Sequence, residues 1–313
     1  MTPFDAWILG MVEGITEYLP VSSTGHLVLT SWLLGLDRTP EQRQAVHDFE
    51  IIIQGGAILA VLGLYRARIA QMARGTATRL GVHGLGPVDD MRAGWTIARN
   101  VVIAFVPAAT VGLLAKDAIN EHLFNPPMVA AALAVGGAAM LAIAPWQARR
   151  LAADRAQAEA DGAAGTRDRA GASLARMTAV QAAMVGALQC LALWPGTSRS
   201  FVTIVGGLLV GLGAVAAAEF SFLLGLVTLT AASGYSVLKV AKADGGAQFV
   251  AALGGWLPIA CGIAVAWASA ALSIDLLVRY LQRHTLALFG WWRLLVAAFV
   301  GVAVWRYGLT LHA

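Results

Sequence analysis

The sequence predicts an all-α polytopic membrane protein, with six full transmembrane helices and two re-entrant helical hairpins arranged as an inverted-topology repeat. Three observations support this fold class. Only 13% of the residues are charged while 58% are hydrophobic, whereas soluble domains carry roughly 25% charged residues. Several long stretches contain no charge, and two apolar segments are interrupted by proline. Residues 1–313 are therefore expected to form a single integral membrane domain.

Complete spans are predicted where apolar residues continue long enough to cross a bilayer, which takes about 20 residues per helix. Residues 100–114, 126–147 and 248–271 contain no Asp, Glu, Lys or Arg. The six predicted spans cover residues 48–65, 100–114, 126–147, 214–235, 248–271 and 288–310.

Two further segments, 6–35 and 177–212, are apolar but broken by a proline and a run of small hydroxyl residues, PVSSTG and PGTSRS. Proline ends a helix and frees backbone groups that lipid cannot hydrogen-bond. Such a break is tolerated at membrane depth only inside protein or beside water. We therefore expect each segment to form a re-entrant hairpin that enters and leaves on the same side.

The distribution of basic residues predicts the orientation. The linkers 66–99, 148–176 and 272–287 hold fourteen Lys and Arg residues, whereas the other linkers and the termini hold five. Because cytoplasmic loops are enriched in Lys and Arg, the first group is placed inside and both termini outside. The linker 148–176 is rich in Ala, Gly, Arg and Asp and is expected to be a mobile cytoplasmic loop.

The same map suggests an internal repeat, with repeat 1 over residues 1–147 and repeat 2 over residues 177–313. An offset of 175 residues aligns the two proline breaks and pairs Ser22 with Thr197. Each half has one hairpin followed by three spans, so the second half enters the membrane in the opposite sense. In carriers of this architecture, broken helices meet near the midplane and form the binding site. Two unrelated proline breaks are the alternative.

Glu13 and Glu17 in the first broken segment predict a divalent metal site. They are four residues apart and share one helix face, and the flanking residues 6–12 and 27–36 carry no charge. Two close carboxylates in an apolar setting repel each other. A cation that prefers oxygen ligands, Mg²⁺ or Ca²⁺, relieves this repulsion. The alternative is a pair of glutamates on a solvated helix face.

Hydroxyl residues follow the first proline: Ser22, Ser23 and Thr24 precede Gly25 and His26. Hydroxyls together with free backbone N–H groups at a helix start form a phosphate cradle. Simple N-capping of the second hairpin helix is the alternative for these hydroxyls. His26 is a candidate general acid, general base or nucleophile.

Arg199 carries the single charge of residues 177–212. An ionisable group inside a membrane segment is a functional candidate, and a guanidinium matches phosphate oxygens in two-point contact. Arg199 is therefore expected to bind an anion. Snorkelling to an interface is the alternative. Glu219 lies inside a predicted span and is either a partner for Arg199 or structural.

Together these groups supply a metal site, a phosphate cradle, a cation and a histidine. This set suits phosphoryl transfer, in which positioning and charge neutralisation dominate. A site inside lipid implies a lipid-borne phosphate, and a net charge of +4 is too small to indicate a nucleic-acid partner. Trp291 and Trp292 beside Arg293 are expected to form an interfacial anchor.

The segment EGITEYLPVSSTGHLVL resembles the first signature of the undecaprenyl-diphosphate phosphatase family, also called bacitracin-resistance proteins, and PGTSRS followed by EFSFLL resembles the second. The resemblance covers nearly the whole chain. It implies a bacterial inner-membrane enzyme that hydrolyses undecaprenyl diphosphate to undecaprenyl phosphate and inorganic phosphate. This reaction recycles the lipid carrier for cell-wall synthesis and confers bacitracin resistance. The resemblance also implies a divalent metal and a site open to the periplasm.

The resemblance assigns site residues by motif position, and it leaves the nucleophile open among serine, histidine and a metal-activated water. The expected catalytic residues are Glu13, Glu17, Ser22, Ser23, His26 and Arg199. The expected phosphate-binding residues are Ser23, Thr24, Gly25, Thr197, Ser198 and Arg199.

The chain departs from the family pattern at three places. Phe201 stands where the family usually has Gly, Val227 where it usually has Pro, and Ala214 near a position that is commonly Arg. A glycine permits close backbone approach, so Phe201 is expected to add bulk beside the cradle.

A polyprenyl-phosphate transporter or flippase is the main alternative function, since inverted repeats and broken helices are typical of secondary carriers. The paired glutamates and His26 exceed what anion binding needs and favour hydrolysis. A binding protein without catalysis is a third alternative. A vanadium-type lipid phosphatase is disfavoured because residues 200–218 lack its second histidine. The expected partners are the lipid substrate and the bilayer, and the oligomeric state is open, a homodimer included.

Overall fold

The computed structural model describes residues 1–36, 39–123, 125–160, 166–243, 250 and 253–307, and these residues form helices and no strand. Within this part of the chain, six helices are long and apolar enough to cross a membrane. The predicted all-α class and the six spans are therefore confirmed, and the chain is a multi-pass membrane protein.

The helices are numbered here in chain order, and the spans are α3, α5, α7, α11, α12 and α13. Their bounds are α1 (Pro3–Tyr18), α2 (Ser23–Leu33), α3 (Pro40–Leu64), α4 (Arg66–Arg79), α5 (Val88–Leu114), α6 (Lys116–Leu123), α7 (Pro126–Ala160), α8 (Thr166–Arg176), α9 (Ala179–Gln189), α10 (Arg199–Leu209), α11 (Ala214–Ala243), α12 (Trp256–Leu281) and α13 (Ala287–Tyr307). A 3₁₀ turn, Cys190–Leu193, continues α9.

The observed spans differ from the predicted ones at their ends. α3 begins earlier than predicted because Thr39 and Gln42 form a capping box, which starts a helix ahead of its apolar part. α12 begins later than predicted because Gly254 and Gly255 have φ angles of 85° and 97°, which a right-handed helix does not allow. The predicted limits 248 and 310 lie outside the described residues.

The linker 148–176 is helical wherever the structure describes it, so the expectation of a loop is wrong there. α7 continues past Pro145 to Ala160, and α8 follows. Ala170 and Leu174 of α8 are only 4% and 1% exposed, and both belong to the main hydrophobic core. The helix was not predicted because the segment is mostly polar and only a few apolar residues on one face of α8 are buried.

Small residues allow α1 to approach α12 closely. A Cβ atom on Gly10 of α1 would lie 2.5 Å from the carbonyl oxygen of Gly262 on α12, so no larger residue fits there. Ser273 of α12 donates a 3.0 Å hydrogen bond to the carbonyl oxygen of Gly14. Close approach of this kind drives helix association in membranes. It fixes α1, which carries both predicted metal ligands.

Each proline-broken segment ends in a short helix. α2 and α10 have 11 residues each, which at 1.5 Å per residue is about 16 Å. This is roughly half of a hydrocarbon core of about 30 Å. The re-entrant course and the inverted repeat stay predictions.

Candidate active site

The two breaks have nearly the same backbone conformation. Ser22 has φ 76° and ψ 101°, and Ser198 has φ 72° and ψ 112°. Each hydroxyl caps the following helix by accepting a hydrogen bond from the backbone N–H three residues on, at 3.4 Å from Gly25 and 3.3 Å from Phe201. Among the described residues, these two serines are the non-glycine residues with positive φ. Such conformations cost about 1–3 kcal/mol and cluster at functional sites.

This match corrects the alignment of the two breaks. The backbone pairs Ser22 with Ser198, an offset of 176, so the sequence pairing of Ser22 with Thr197 is one residue short. In the structural register Ser23 corresponds to Arg199. Ser22 lies two residues after Pro20, whereas Ser198 lies three residues after Pro195. An alignment of the two prolines therefore cannot pair the two serines.

Arg199 and Glu17 join the two breaks. The guanidinium Nη2 lies 3.0 Å from Glu17 Oε1, and the two side chains are 10% and 7% exposed. Arg199 also donates to the carbonyl oxygen of Ser221 at 3.0 Å. The hydroxyl of Ser23 donates to the other carboxylate oxygen of Glu17 at 2.7 Å. The structure thus brings three predicted site residues into direct contact inside the protein.

Glu13 lies one turn before Glu17 and is only 1% exposed. Its Oε1 atom is buried and has no hydrogen-bond partner among the described residues. Glu50 of α3 is close enough to Glu13 to repel it electrostatically, and the sequence reasoning missed this third carboxyl group. A buried polar atom without a partner is costly, so the free oxygen of Glu13 marks a position where a bound group would relieve that cost.

The predicted metal ligands fit a divalent cation that is shared with a substrate. No group of three or more His, Cys, Asp or Glu side chains within the described ranges could hold a metal by itself. Mg²⁺ commonly binds one or two carboxylates together with substrate phosphates. The unpartnered oxygen of Glu13 and the adjacent carboxylate of Glu17 match that requirement.

Arg293 is fully buried, so its expected role in an interfacial anchor is wrong. Its guanidinium donates hydrogen bonds to backbone carbonyl oxygens on both breaks and on α7. The acceptors are Pro20 at 3.4 Å, Thr197 at 2.9 Å, Gly196 at 3.0 Å, Ala132 at 2.9 Å and Leu133 at 3.3 Å. A buried arginine that satisfies so many carbonyls fixes the two breaks relative to each other. The sequence signal was present, since Arg293 is a charge inside a predicted span.

His26 lies at the start of α2, with both ring nitrogens engaged outside the Glu17–Arg199 contact. Nδ1 is 2.7 Å from the carbonyl oxygen of Ser22. Nε2 is 2.8 Å from the indole nitrogen of Trp292. Trp292 therefore contacts a predicted site residue, which an interfacial anchor alone would not do.

The remaining hydroxyl groups surround the second break. The hydroxyls of Ser198 and Ser200 are 3.0 Å apart, and Ser200 donates to the carbonyl oxygen of Leu19 at 2.9 Å. The Thr197 hydroxyl is buried and without a partner among the described residues. Ser200 was missed by the sequence reasoning, although it belongs to the PGTSRS motif.

Two further predicted residues lie in the first turn of α2. Thr24 is half-buried, and Gly25 is buried. A Cβ atom on Gly25 would lie 2.9 Å from Leu133 Cδ1, so Gly25 lets α2 pack closely on α7. The Ser22 hydroxyl acts as a helix cap, which was the alternative given for the hydroxyls after the first proline, and Ser198 caps α10 in the same way.

Glu219 pairs with Arg68 rather than with Arg199. The Nε atom of Arg68 lies 2.7 Å from Glu219 Oε1. The pair borders a cavity of about 400 Å³, which is also lined by Gln71 and Asp90. Glu219 is therefore outside the Glu17–Arg199 contact.

Phe201 does not crowd the hydroxyl groups. Its ring is 7% exposed, belongs to the main core, and lies 5.2 Å from the Arg293 guanidinium in a cation–π contact. Val227 and Ala214 are half-buried and pack against the same core. The expectation that Phe201 adds bulk beside the hydroxyl groups is therefore wrong. Its side chain packs in the core, against the Arg293 guanidinium that bonds both breaks.

A family described as bacitracin resistance protein BacA matches residues 6–299. An undecaprenyl-diphosphatase of Sorangium cellulosum is 41% identical over 297 residues, covering 95% of this chain and 85% of the relative. Undecaprenyl-diphosphatase 2 of Rhodospirillum rubrum is 42% identical over 301 residues, covering 96% and 94%. An undecaprenyl-diphosphatase of Pseudomonas aeruginosa is 37% identical over 312 residues, covering 98% and 95%. The chain therefore belongs to the bacitracin resistance protein BacA family.

Proposed function

We propose that this chain hydrolyses undecaprenyl diphosphate to undecaprenyl phosphate and inorganic phosphate, the activity that its relatives are named for. The observation that carries the proposal is the buried contact between Arg199 and Glu17, with Ser23 bound to the same carboxylate. Phosphoryl transfer needs a cation that binds the phosphate, here Arg199, and a hydroxyl hydrogen-bonded to a carboxylate that can act as its base, here Ser23 on Glu17. The names of the relatives support hydrolysis and not lipid transport.

The geometry favours Ser23 as the attacking group. Its hydroxyl is 2.7 Å from Glu17, whereas the Ser22 hydroxyl caps α2. Ser23 Oγ attacks the terminal phosphorus, its proton passes to Glu17, and the bond to the bridging oxygen breaks to release undecaprenyl phosphate. A water molecule then attacks the phosphorus of the phosphoserine and gives its proton to His26. The P–Oγ bond breaks, Glu17 returns its proton to Ser23 Oγ, and inorganic phosphate leaves.

Arg199 binds the terminal phosphate by exchanging the Glu17 carboxylate for phosphate oxygens, since its planar fork suits both. Glu13 and Glu17 would hold Mg²⁺ or Ca²⁺, which neutralises charge on the phosphate oxygens when bound. Arg293 keeps the two breaks in register during these exchanges.

The proposed location is the bacterial inner membrane, with the site open to the periplasm. The distribution of Lys and Arg supports this orientation because it places the linkers 66–99 and 148–176 in the cytoplasm. The first broken segment, 6–35, then enters the membrane from the periplasmic side, and the second meets it from the cytoplasmic side.

Phosphate release from undecaprenyl diphosphate by the purified full-length protein tests the proposal. Ser23→Ala should lose at least about a hundredfold in rate, as expected for a removed nucleophile. Thr96→Ala is the matched control, because the half-buried Thr96 donates its hydroxyl to the carbonyl oxygen of Arg92 within its own helix, α5. Normal turnover of Ser23→Ala would exclude Ser23 as nucleophile, and no release by the unmodified protein would exclude the function.

A further inference from the structure

The rings of His26 and Trp292 meet edge to edge. Their planes differ by 12° and their centroids are 6.1 Å apart, while the indole Nε1 is 2.8 Å from imidazole Nε2. Face-to-face stacking would bring the centroids closer. The nearly coplanar arrangement instead points the indole N–H along the in-plane lone pair of Nε2, which is the geometry of a hydrogen bond.

Two neighbours define the same tautomer of His26. An indole nitrogen is a donor only, so Nε2 must be the acceptor and carries no proton. The carbonyl oxygen of Ser22 is an acceptor only, so Nδ1, at 2.7 Å, carries the proton. The ring is therefore neutral, and the lone pair that would accept a proton in catalysis is covered by Trp292.

The backbone of Trp292 is fixed by its buried neighbour Arg293, whereas its side chain is half-exposed and can move. Arg293, the next residue, is fully buried and fixes the rotation of α13 through its hydrogen bonds to Pro20 of the first break and to Gly196 and Thr197 of the second. Trp292 is 48% exposed, so its side chain can leave His26 without disturbing the core. When the indole leaves, the hydrogen bond that His26 Nδ1–H donates to the Ser22 carbonyl oxygen keeps the ring oriented.

We propose that Trp292 is a displaceable cap on His26: the indole N–H covers Nε2 in the resting protein, and the arriving lipid diphosphate displaces it. The proposal rests on the role of His26 in the proposed function. It makes Trp292 a positioning residue, because it acts through His26 and not on the reacting atoms. The cap keeps His26 from taking up a proton until substrate is present.

Chemical modification measures the cap without turnover. Diethyl pyrocarbonate reacts with the unprotonated nitrogen of imidazole, and peptide mass spectrometry separates His26 from the exposed His122, which serves as internal reference. Replacing Trp292 by phenylalanine, or by benzothienylalanine to keep the indole shape, removes the N–H donor. His26 should then react about five-fold faster, which is the effect of one hydrogen bond of about 1 kcal/mol. Trp291→Phe, one residue away and 65% exposed, should leave the rate unchanged.

Kinetics give a second, independent measure. If substrate has to displace the cap, its loss lowers KM by about five-fold, while kcat changes less because the cap is already open in the complex. An unchanged modification rate of His26 in both Trp292 variants overturns the proposal. So does a raised KM, which would mean that Trp292 binds the lipid. If the unmodified protein released no phosphate, the proposed function would fail while the modification rates still reported the cap.

Discussion

Glu17 and Arg199 are 182 positions apart in the chain and yet lie 3.0 Å from each other, each side chain almost fully buried. A buried ion pair is weak evidence for stability, because desolvation offsets most of the attraction. Its placement where two strained helix starts meet, with Ser23 on the same carboxylate, is better explained by chemistry. In the proposed function, bound phosphate replaces the Glu17 carboxylate as the partner of Arg199.

Arg199→Lys tests the two-point contact with phosphate. Lysine keeps the charge but loses the planar fork, so phosphate release should fall by about a hundredfold or more. Arg199→Ala should be worse and should also weaken substrate binding. Arg279→Lys is the control, since Arg279 is 73% exposed and pairs within its own helix. Near-normal turnover of Arg199→Lys, with folding checked by gel filtration, would leave Arg199 a structural role only.

Glu13→Gln and Glu17→Gln test the metal. Each should lower phosphate release by about a hundredfold, the effect of losing an electrostatic stabiliser. Activity should also disappear in EDTA and return with added Mg²⁺ or Ca²⁺. Glu121→Gln, an exposed glutamate on α6, is the control. Full activity in EDTA would contradict the metal proposal and leave the carboxylates as acid–base groups.

Arg293→Met tests the hydrogen bonds by which Arg293 connects the two breaks. The change keeps an unbranched, flexible side chain but removes the guanidinium, so several buried carbonyl groups lose their donors, each costing about 1–3 kcal/mol. We expect a loss of about 3 kcal/mol or more in unfolding free energy, measured by thermal unfolding in detergent, together with lost activity. Arg150→Met is the comparison, since Arg150 also donates to backbone carbonyls but away from the site. Equal effects of the two changes would deny Arg293 a special role.

Ser22→Gly and Ser22→Ala separate backbone strain from capping. Both remove the hydroxyl cap, which costs about 1 kcal/mol for Ala and only a few tenths for Gly. Glycine also adopts a φ of 76° without strain, whereas alanine does not. The alanine variant should therefore be less stable than the glycine variant by about 1 kcal/mol or more, measured by denaturation in detergent. The same order is expected at Ser198. A more stable alanine variant would mean that the positive φ is not maintained.

Cysteine labelling tests the orientation. In a background lacking Cys190 and Cys261, a cysteine at Asp117 should react with an impermeant reagent from outside spheroplasts. A cysteine at Asp89, which is 99% exposed at the opposite end of α5, should react only after permeabilisation. The reverse pattern would invert the topology and would open the site to the cytoplasm.

Much of the site could be predicted because its signals are local. Glu13 and Glu17 share a helix face through their spacing, and Arg199 is a single charge in an apolar segment. The position of Arg293 inside a predicted span marks it as a functional candidate. Its partners and those of Trp292 could not be predicted, because a charge and a tryptophan near a helix end also suit an interface. Only their contacts with residues far away in the chain distinguish the two readings.

The sequence by itself determined the membrane class, the six spans and the two breaks, because apolar length and proline act within one segment. Tertiary structure alone decided the partners: Arg199 with Glu17, Arg68 with Glu219, and His26 with Trp292. It also decided that the breaks correspond through Ser22 and Ser198. The physical reason is that a buried charge or donor takes whichever partner the packed helices bring within about 3 Å, and that distance is set by the bundle rather than by any one segment.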